Sequence, residues 1–175
     1  DKGYLSGIKN YINILKRKNE NEVELAHYYK MSADKGDIES MFNHALNLFN
    51  GIGIEQDLKE AAHYFRMAAD LEHIESMCYL GIILFNGLGI EQNVKESTCY
   101  LRASAEKGFS ESFLLYGICL LNGAGVDINK KEAAHYLRMA ADNGNDTAMY
   151  LYSNMLFNGD GIDVNKQESI RYLKM

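Results

Sequence analysis

Between Glu72 and Gly108 the chain sets apolar and polar residues in two helical registers, separated by a glycine-rich break. In Ser76–Phe85, the residues Ser76, Met77, Leu80, Gly81 and Leu84 recur at helical spacing, which predicts a helix that is apolar on several sides. In Val94–Lys107, small or apolar side chains stand at Val94, Ser97, Tyr100, Leu101, Ala103 and Ala105, and these predict a second, amphipathic helix. Paired glycines leave the first helix, since glycine readily adopts positive φ, and Gly108 stops the second. Two antiparallel helices of this kind, A and B, leave an apolar face that only another hairpin can cover.

That hairpin repeats. Asn-Gly-x-Gly occurs at Asn50–Gly53, Asn86–Gly89, Asn122–Gly125 and Asn158–Gly161, each copy 36 residues after the last. A fixed period of this length marks a solenoid, whose units bury a continuous core between neighbours. The expected fold is an all-α, right-handed α-α superhelix of about five helix-turn-helix repeats, with boundaries near 1–36, 37–72, 73–108, 109–144 and 145–175. The first unit departs from the rest. Residues 1–21 match only if three loop residues are deleted, yet Ile8, Ile12 and Leu15 keep a helical stripe. Asp1-Lys2-Gly3 echoes the repeat tail Asp34-Lys35-Gly36, and Met175 aligns with Met139 part-way through a helix, so the array reads as cut from a longer one.

Columns through the repeats separate packing from chemistry. Leu48, Leu84, Leu120 and Leu156 recur at one site of helix A, and Tyr28, Tyr64, Tyr100, Tyr136 and Tyr172 at one site of helix B. Ala33, Ala69, Ala105 and Ala141 form a third column; Ala45, Gly81, Gly117 and Ser153 form a fourth, where a small residue lets helices approach closely. Glu24, Glu60, Glu96, Glu132 and Glu168 invite a catalytic story. Their place in the first turn of helix B explains them better, because the helix dipole favours an acid there. Asn50, Asn86, Asn122 and Asn158 suit helix ends and turns. Lys30, Arg66, Arg102 and Arg138 precede Asp34, Asp70, Glu106 and Asp142 by four residues, the spacing of solvated ion pairs.

Composition then removes several functions. The net charge is −6 and the one short basic cluster is Lys16-Arg17-Lys18, whereas nucleic-acid binding needs a concentrated basic stripe. No apolar run reaches the length of a membrane span. Cys78, Cys99 and Cys119 lack CxxC spacing and read as small buried hydrophobes, which favours a reducing, cytoplasmic setting, while the acceptor Asn145-Asp146-Thr147 keeps a secretory one open. His27, His63, Cys99 and His135 share one helix B column and suggest zinc when taken alone. Geometry rejects a shared ion: neighbouring helices lie about 8–10 Å apart, and ligands of one zinc lie about 2 Å from it. The glycine loops follow helices and lack the GK[ST] ending of a phosphate cradle. No nucleophile–base pair, metal site or cofactor site is expected, and the chain reads as non-enzymatic.

The columns resemble the Sel-one-like repeat, a subclass of tetratricopeptide-like helical repeats. The resemblance rests on Leu80-Gly81 and Tyr116-Gly117 in helix A, on the Asn-Gly-x-Gly loop, and on a helix running from Ala133-Ala134-His135-Tyr136 to Ala140-Ala141-Asp142-Asn143-Gly144. It covers almost the whole chain. His44-Ala45 and Tyr152-Ser153 depart from the usual Leu-Gly, and Leu replaces the common aromatic in the Leu48 column. The paired cysteines of the family's cysteine-rich bacterial members, some linked to β-lactam hydrolysis, have no counterpart. The resemblance implies an adaptor whose helix A lines a concave face and holds a protein or peptide partner; a docking or regulatory module of a larger enzyme, such as a protein kinase, is the alternative.

At about 100° per residue, the side of helix A away from the repeat core holds positions 39, 43, 46 and 50 and their equivalents, with position 47 at its edge. The candidate partner-binding residues are Asn43, Asn47, Tyr79, Ile82, Ile83, Leu115, Ile118, Cys119, Leu151 and Met155, with Tyr79, Ile83 and Leu115 as apolar anchors. Glu39, Glu75 and Glu111 run along one edge. Cut ends that expose apolar faces also allow self-association through the terminal repeats.

Overall fold

The computed structural model describes residues 2–18 and 21–174. Asp1, Met175 and positions 19–20 of the first unit's altered loop lie outside them. Ten helices form, and no strand occurs among the described residues. They are α1 (Lys2–Lys18), α2 (Glu22–Ala33), α3 (Ile38–Asn50), α4 (Leu58–Asp70), α5 (Ile74–Asn86), α6 (Val94–Glu106), α7 (Ser110–Asn122), α8 (Lys130–Asp142), α9 (Asp146–Asn158) and α10 (Lys166–Leu173). Odd-numbered helices are of type A and even-numbered ones of type B. The predicted A helix at Ser76 starts two residues earlier, because the side chain of His73 accepts from the Ser76 N–H and caps it. The chain forms two compact units, residues 1–92 and 93–175.

In the first unit each of α1 to α5 packs on the next in chain order. Ile8, Ile12 and Leu15 of the irregular α1 are buried, as their stripe predicts. Ala45 and Leu48 of α3 and Ala61, Phe65 and Ala68 of α4 are almost wholly removed from water. The Tyr64 hydroxyl on α4 donates to Asp34 Oδ1 at 2.7 Å and accepts from Lys30 Nζ at 3.1 Å, so it links successive B helices. Burial pushes the Asp34 carboxyl up, but the hydrogen bonds from Tyr64 and Lys30 outweigh it and hold Asp34 below the ordinary value.

The second unit repeats the plan with α6 to α10. Gly117 of α7 needs its small size: a Cβ there would lie 2.9 Å from Leu137 Cγ of α8. Tyr116 meets Tyr136 edge-on at 5.0 Å, and Tyr152 meets Tyr172 at 5.0 Å. The first unit places His44 on Tyr64 in the same way, at 4.7 Å. The B-helix tyrosine column is thus a packing partner of the A-helix position just before the small residue. Burial, with Glu132 nearby, pushes Tyr116 up to about 12. Tyr172 donates to Asp142 Oδ1 at 2.6 Å, the counterpart of the Tyr64–Asp34 bond.

The Asn-Gly-x-Gly loop shows why two glycines are needed. Gly51 sits at φ 71 as the C-cap of α3 and returns its N–H to the Asn47 carbonyl. Gly53, at φ 68, passes so close to the start of α2 that a Cβ would fall 2.2 Å from the Glu22 carbonyl oxygen. The second glycine is therefore a contact between repeats as well as a turn. The loop is closed by Gln56 Nε2 donating to the Phe49 carbonyl at 2.8 Å and by the Asp57 N–H reaching the Leu48 carbonyl at 3.0 Å.

The invariant glutamates are structural. Asn21, Asp57, Asn93, Asn129 and Asn165 cap the B helices by accepting from the N–H of Glu24, Glu60, Glu96, Glu132 and Glu168. Asn93, Asn129 and Asn165 also donate to the paired carboxylates at 3.0, 2.9 and 3.0 Å. The pair resembles a capping box, except that the glutamate accepts from the Asn side chain where the usual box uses the N-cap backbone N–H.

Candidate partner-binding face

Packing against neighbouring helices of its own unit leaves each A helix an arc for solvent, and that arc decides which candidates a partner could touch. In the first unit Asn43 and Asn47 of α3 and Tyr79 and Ile82 of α5 are half-buried. In the second, Leu115 and Ile118 of α7 and Leu151 of α9 are half-buried too. Ile83, Cys119 and Met155 are not on this face: they are 0%, 2% and 3% exposed. They share one column, a single residue round from the position of Ile82. That 100° step turns the side chain off the open arc in α5, α7 and α9, whereas Asn47, in the same column of α3, stays half-buried. Ile83 therefore belongs to the core and cannot anchor a partner. Burial also pushes the Cys119 thiol up, against a smaller lowering by its hydrogen bond with Thr98, so it stays protonated.

Tyr79 sits in an aromatic cluster of its own unit. Its ring stacks on Phe65 at 5.1 Å and 10°, and meets Phe42 at 5.8 Å and Phe49 at 6.1 Å edge-on. Sequence reasoning missed Phe42 and Phe49, which lie beside the columns it used; their spacing matched core as well as surface. Asn43 is tied down locally, with Nδ2 donating to the Glu39 carbonyl at 2.7 Å and to Glu39 Oε1 at 3.0 Å. Asn50 and Asn86 donate to the carbonyls of Leu46 and Ile82 four residues back, at 3.0 and 2.9 Å, which gives them a helix-end role.

The B helices turn a different chemistry outward. His27, His63, Cys99 and His135 are all exposed on them. Lys30–Asp34, Arg102–Glu106 and Arg138–Asp142 pair at 3.2, 2.7 and 3.5 Å, so that surface carries both signs. No described helix is long and apolar enough to cross a membrane.

The Sel1 repeat family model matches residues 26–37, 38–73, 74–109, 114–145 and 146–175. The crystal structure of a Sel1 repeat protein from Oxalobacter formigenes is similar, with a TM-score of 0.84 and 25% identity over 94% of this chain and 70% of that one. The antigen c5321 of uropathogenic Escherichia coli, which displays an SLR fold, gives a TM-score of 0.88 at 22% identity, over 98% of this chain but 37% of its own length. The cysteine-rich protein B of Helicobacter pylori gives 0.52 at 19% identity over 57% of this chain and 74% of that one. The last two likenesses concern the fold alone. No curated protein matches the sequence significantly. Sel1 repeats generally act as protein–protein interaction scaffolds, and their fold is typically non-catalytic. With its period, its double-glycine loop and its helix pairs all matched, this chain belongs to the Sel1 repeat family.

Proposed function

We propose that the chain is a non-enzymatic scaffold or adaptor that holds another protein or a peptide along the face of its A helices. The carrying observation is the set of half-buried apolar side chains left on that face: Tyr79 and Ile82 in one unit, Leu115, Ile118 and Leu151 in the other. Apolar side chains grouped on a solvent face mark a binding surface. The titratable groups agree with a binding role. Asp34, Tyr64, Asp142 and Tyr172 are occupied in hydrogen bonds that tie successive helices together.

The repeats themselves supply gentle test substitutions. Asn43 stands in the column of Tyr79, Leu115 and Leu151, and Asn154 in the column of Ile82 and Ile118, so asparagine is accepted at both. A peptide selected from a random display library on the purified chain should lose about tenfold in affinity to Leu115→Asn and Ile82→Asn, with the melting temperature nearly unchanged. A photo-crosslinking residue at 115 or 82 should capture the peptide, and one at the exposed His63 or His135 should not. Selected peptides that crosslink only from the B helices would remove the proposal.

A further inference from the structure

Each of α3, α5, α7 and α9 carries one carboxylate in its first turn, Glu39, Glu75, Glu111 and Asp146, and none contains a lysine or arginine. The helix dipole accounts for the acids but equally favours cations in the last turn, where all four helices lack them. The chain is not short of bases. They stand on α1, in loops and along the B helices, as Lys30, Arg66, Arg102 and Arg138 do. Open positions of the A helices are filled by asparagine instead, at Asn43, Asn47 and Asn154. The helices α3, α5, α7 and α9 therefore offer a partner carboxylates with no lysine or arginine beside them on the same helix.

In the first unit two of these carboxylates converge beside aromatic rings. Glu39 of α3 and Glu75 of α5 each place an oxygen 3.6 Å from His73 Nε2, and their side chains are 66% and 44% exposed. His73 is fixed by its capping bond, with Nδ1 accepting from the Ser76 N–H at 3.3 Å, and Glu39 is held by Asn43. The Phe42 ring lies 4.8 Å from the His73 ring and 5.8 Å from that of Tyr79. Lys9 and Lys16 of α1 line a cleft with Glu39, but each has its own partner there: Lys9 pairs with Asp37, and Lys16 lies over the Tyr29 ring at 5.3 Å.

We propose that this corner of the A face takes an arginine side chain of the partner polypeptide, its guanidinium shared between Glu39 and Glu75 and laid against the rings of Phe42 and Tyr79. A planar fork of donors matches carboxylates in pairs and stacks on aromatic faces, which a lysine ammonium does less well. The proposal rests on the reading that the A helices bind a polypeptide, and the test separates the two.

Three short labelled peptides share one leucine pattern and carry arginine, glutamine or glutamate at their polar positions. Fluorescence anisotropy should rank them arginine over glutamine by about tenfold, with the glutamate peptide weakest. Glu39→Gln with Glu75→Gln should erase that advantage and lower the melting temperature only slightly, since each exposed side chain gives up only its first-turn dipole interaction. Added salt should shrink it in the wild-type chain. Equal binding of the arginine and glutamine peptides, a preference that survives the double substitution, or no binding by any peptide overturns the proposal. If the glutamine peptide binds as well as the arginine one and is still lost on Ile82→Asn, the A-face reading stands and only the arginine site falls.

Discussion

His44 makes one core position of the first unit sensitive to acid. It is 0% exposed in α3, and neither ring nitrogen has a hydrogen-bond partner. The groups facing it are Lys30 and Asp34 of α2 and the ring edge of Tyr64 of α4. Burial, reinforced by the Lys30 charge and opposed by that of Asp34, pulls its pKa from 6.5 down to about 4. Between those values the unfolded chain holds a proton that the folded chain refuses. Stability is then complete above 6.5 and is lost as the pH falls through the window toward 4. At 1.36 kcal/mol per unit the whole loss is about 3 kcal/mol, of which about 2 kcal/mol has gone by about pH 5. Asp34 and Asp37 are held below the ordinary carboxylate value of 3.8, so their own losses on acidification come below this window.

The informative substitution is His44→Leu, because Leu80 fills the equivalent place in α5 and is buried there without strain on a polar atom. Removing two desolvated nitrogens should raise stability near neutral pH by about 1–3 kcal/mol. It should also flatten the dependence between about pH 7 and about pH 5, where the wild-type chain loses about 2 kcal/mol. Urea unfolding followed by far-UV circular dichroism across that range measures both. A leucine variant that is less stable at neutral pH, or that keeps the wild-type slope, refutes the account of His44 as an orphaned neutral base.

Three further substitutions test the repeat architecture. Gly125→Ala should cost about 3 kcal/mol in chemical denaturation, since its Cβ would meet the Val94 carbonyl oxygen at 2.5 Å on a backbone at φ +70; Gly144→Ala, with nothing within 4 Å of its Cβ at φ +86, should cost about 1 kcal/mol. Asn129→Ala removes both the cap on the Glu132 N–H and the side-chain bond to the Glu132 carboxylate and should lower stability by about 1 kcal/mol, with Asn129→Asp recovering the cap and most of the loss in thermal melts. Glu72 holds φ 65 where the other repeats place Gly36, Gly108 and Gly144, so Glu72→Gly should raise the melting free energy by about 0.5–1 kcal/mol.

What the sequence revealed followed from periodicity. Leu48, Leu84, Leu120 and Leu156 were legible as core because one spacing repeats them, and all four are buried. Ile83, Cys119 and Met155 were not legible. Their exposure depends on how far the flanking B helices wrap around each A helix, and a helical wheel contains no neighbours. Tyr79 was picked out as a surface anchor, but the partner that stacks on it, Phe65, comes from a different helix. The capping boxes carried a readable signal that went unused: Asn or Asp stands three residues before every glutamate of the column. The second glycine of each loop was read as part of a turn, whereas its closest neighbours belong to the previous repeat's B helix.

Local chemistry accounts for every column that stays constant. The leucines are buried, the glutamates are capped, and Asn50 and Asn86 bond their own helices. None of these needs a partner to explain it. The positions left over are those where the A helix is half-open, and there the repeats disagree. One column runs Asn43, Tyr79, Leu115, Leu151, and its neighbour runs Leu46, Ile82, Ile118, Asn154. Variation alone does not mark a contact surface, because the buried column of His44, Leu80, Tyr116 and Tyr152 varies as well. What sets the columns of positions 43 and 46 apart is that their varied side chains are also half-open, so under the proposed function they present different contacts to successive parts of a bound polypeptide.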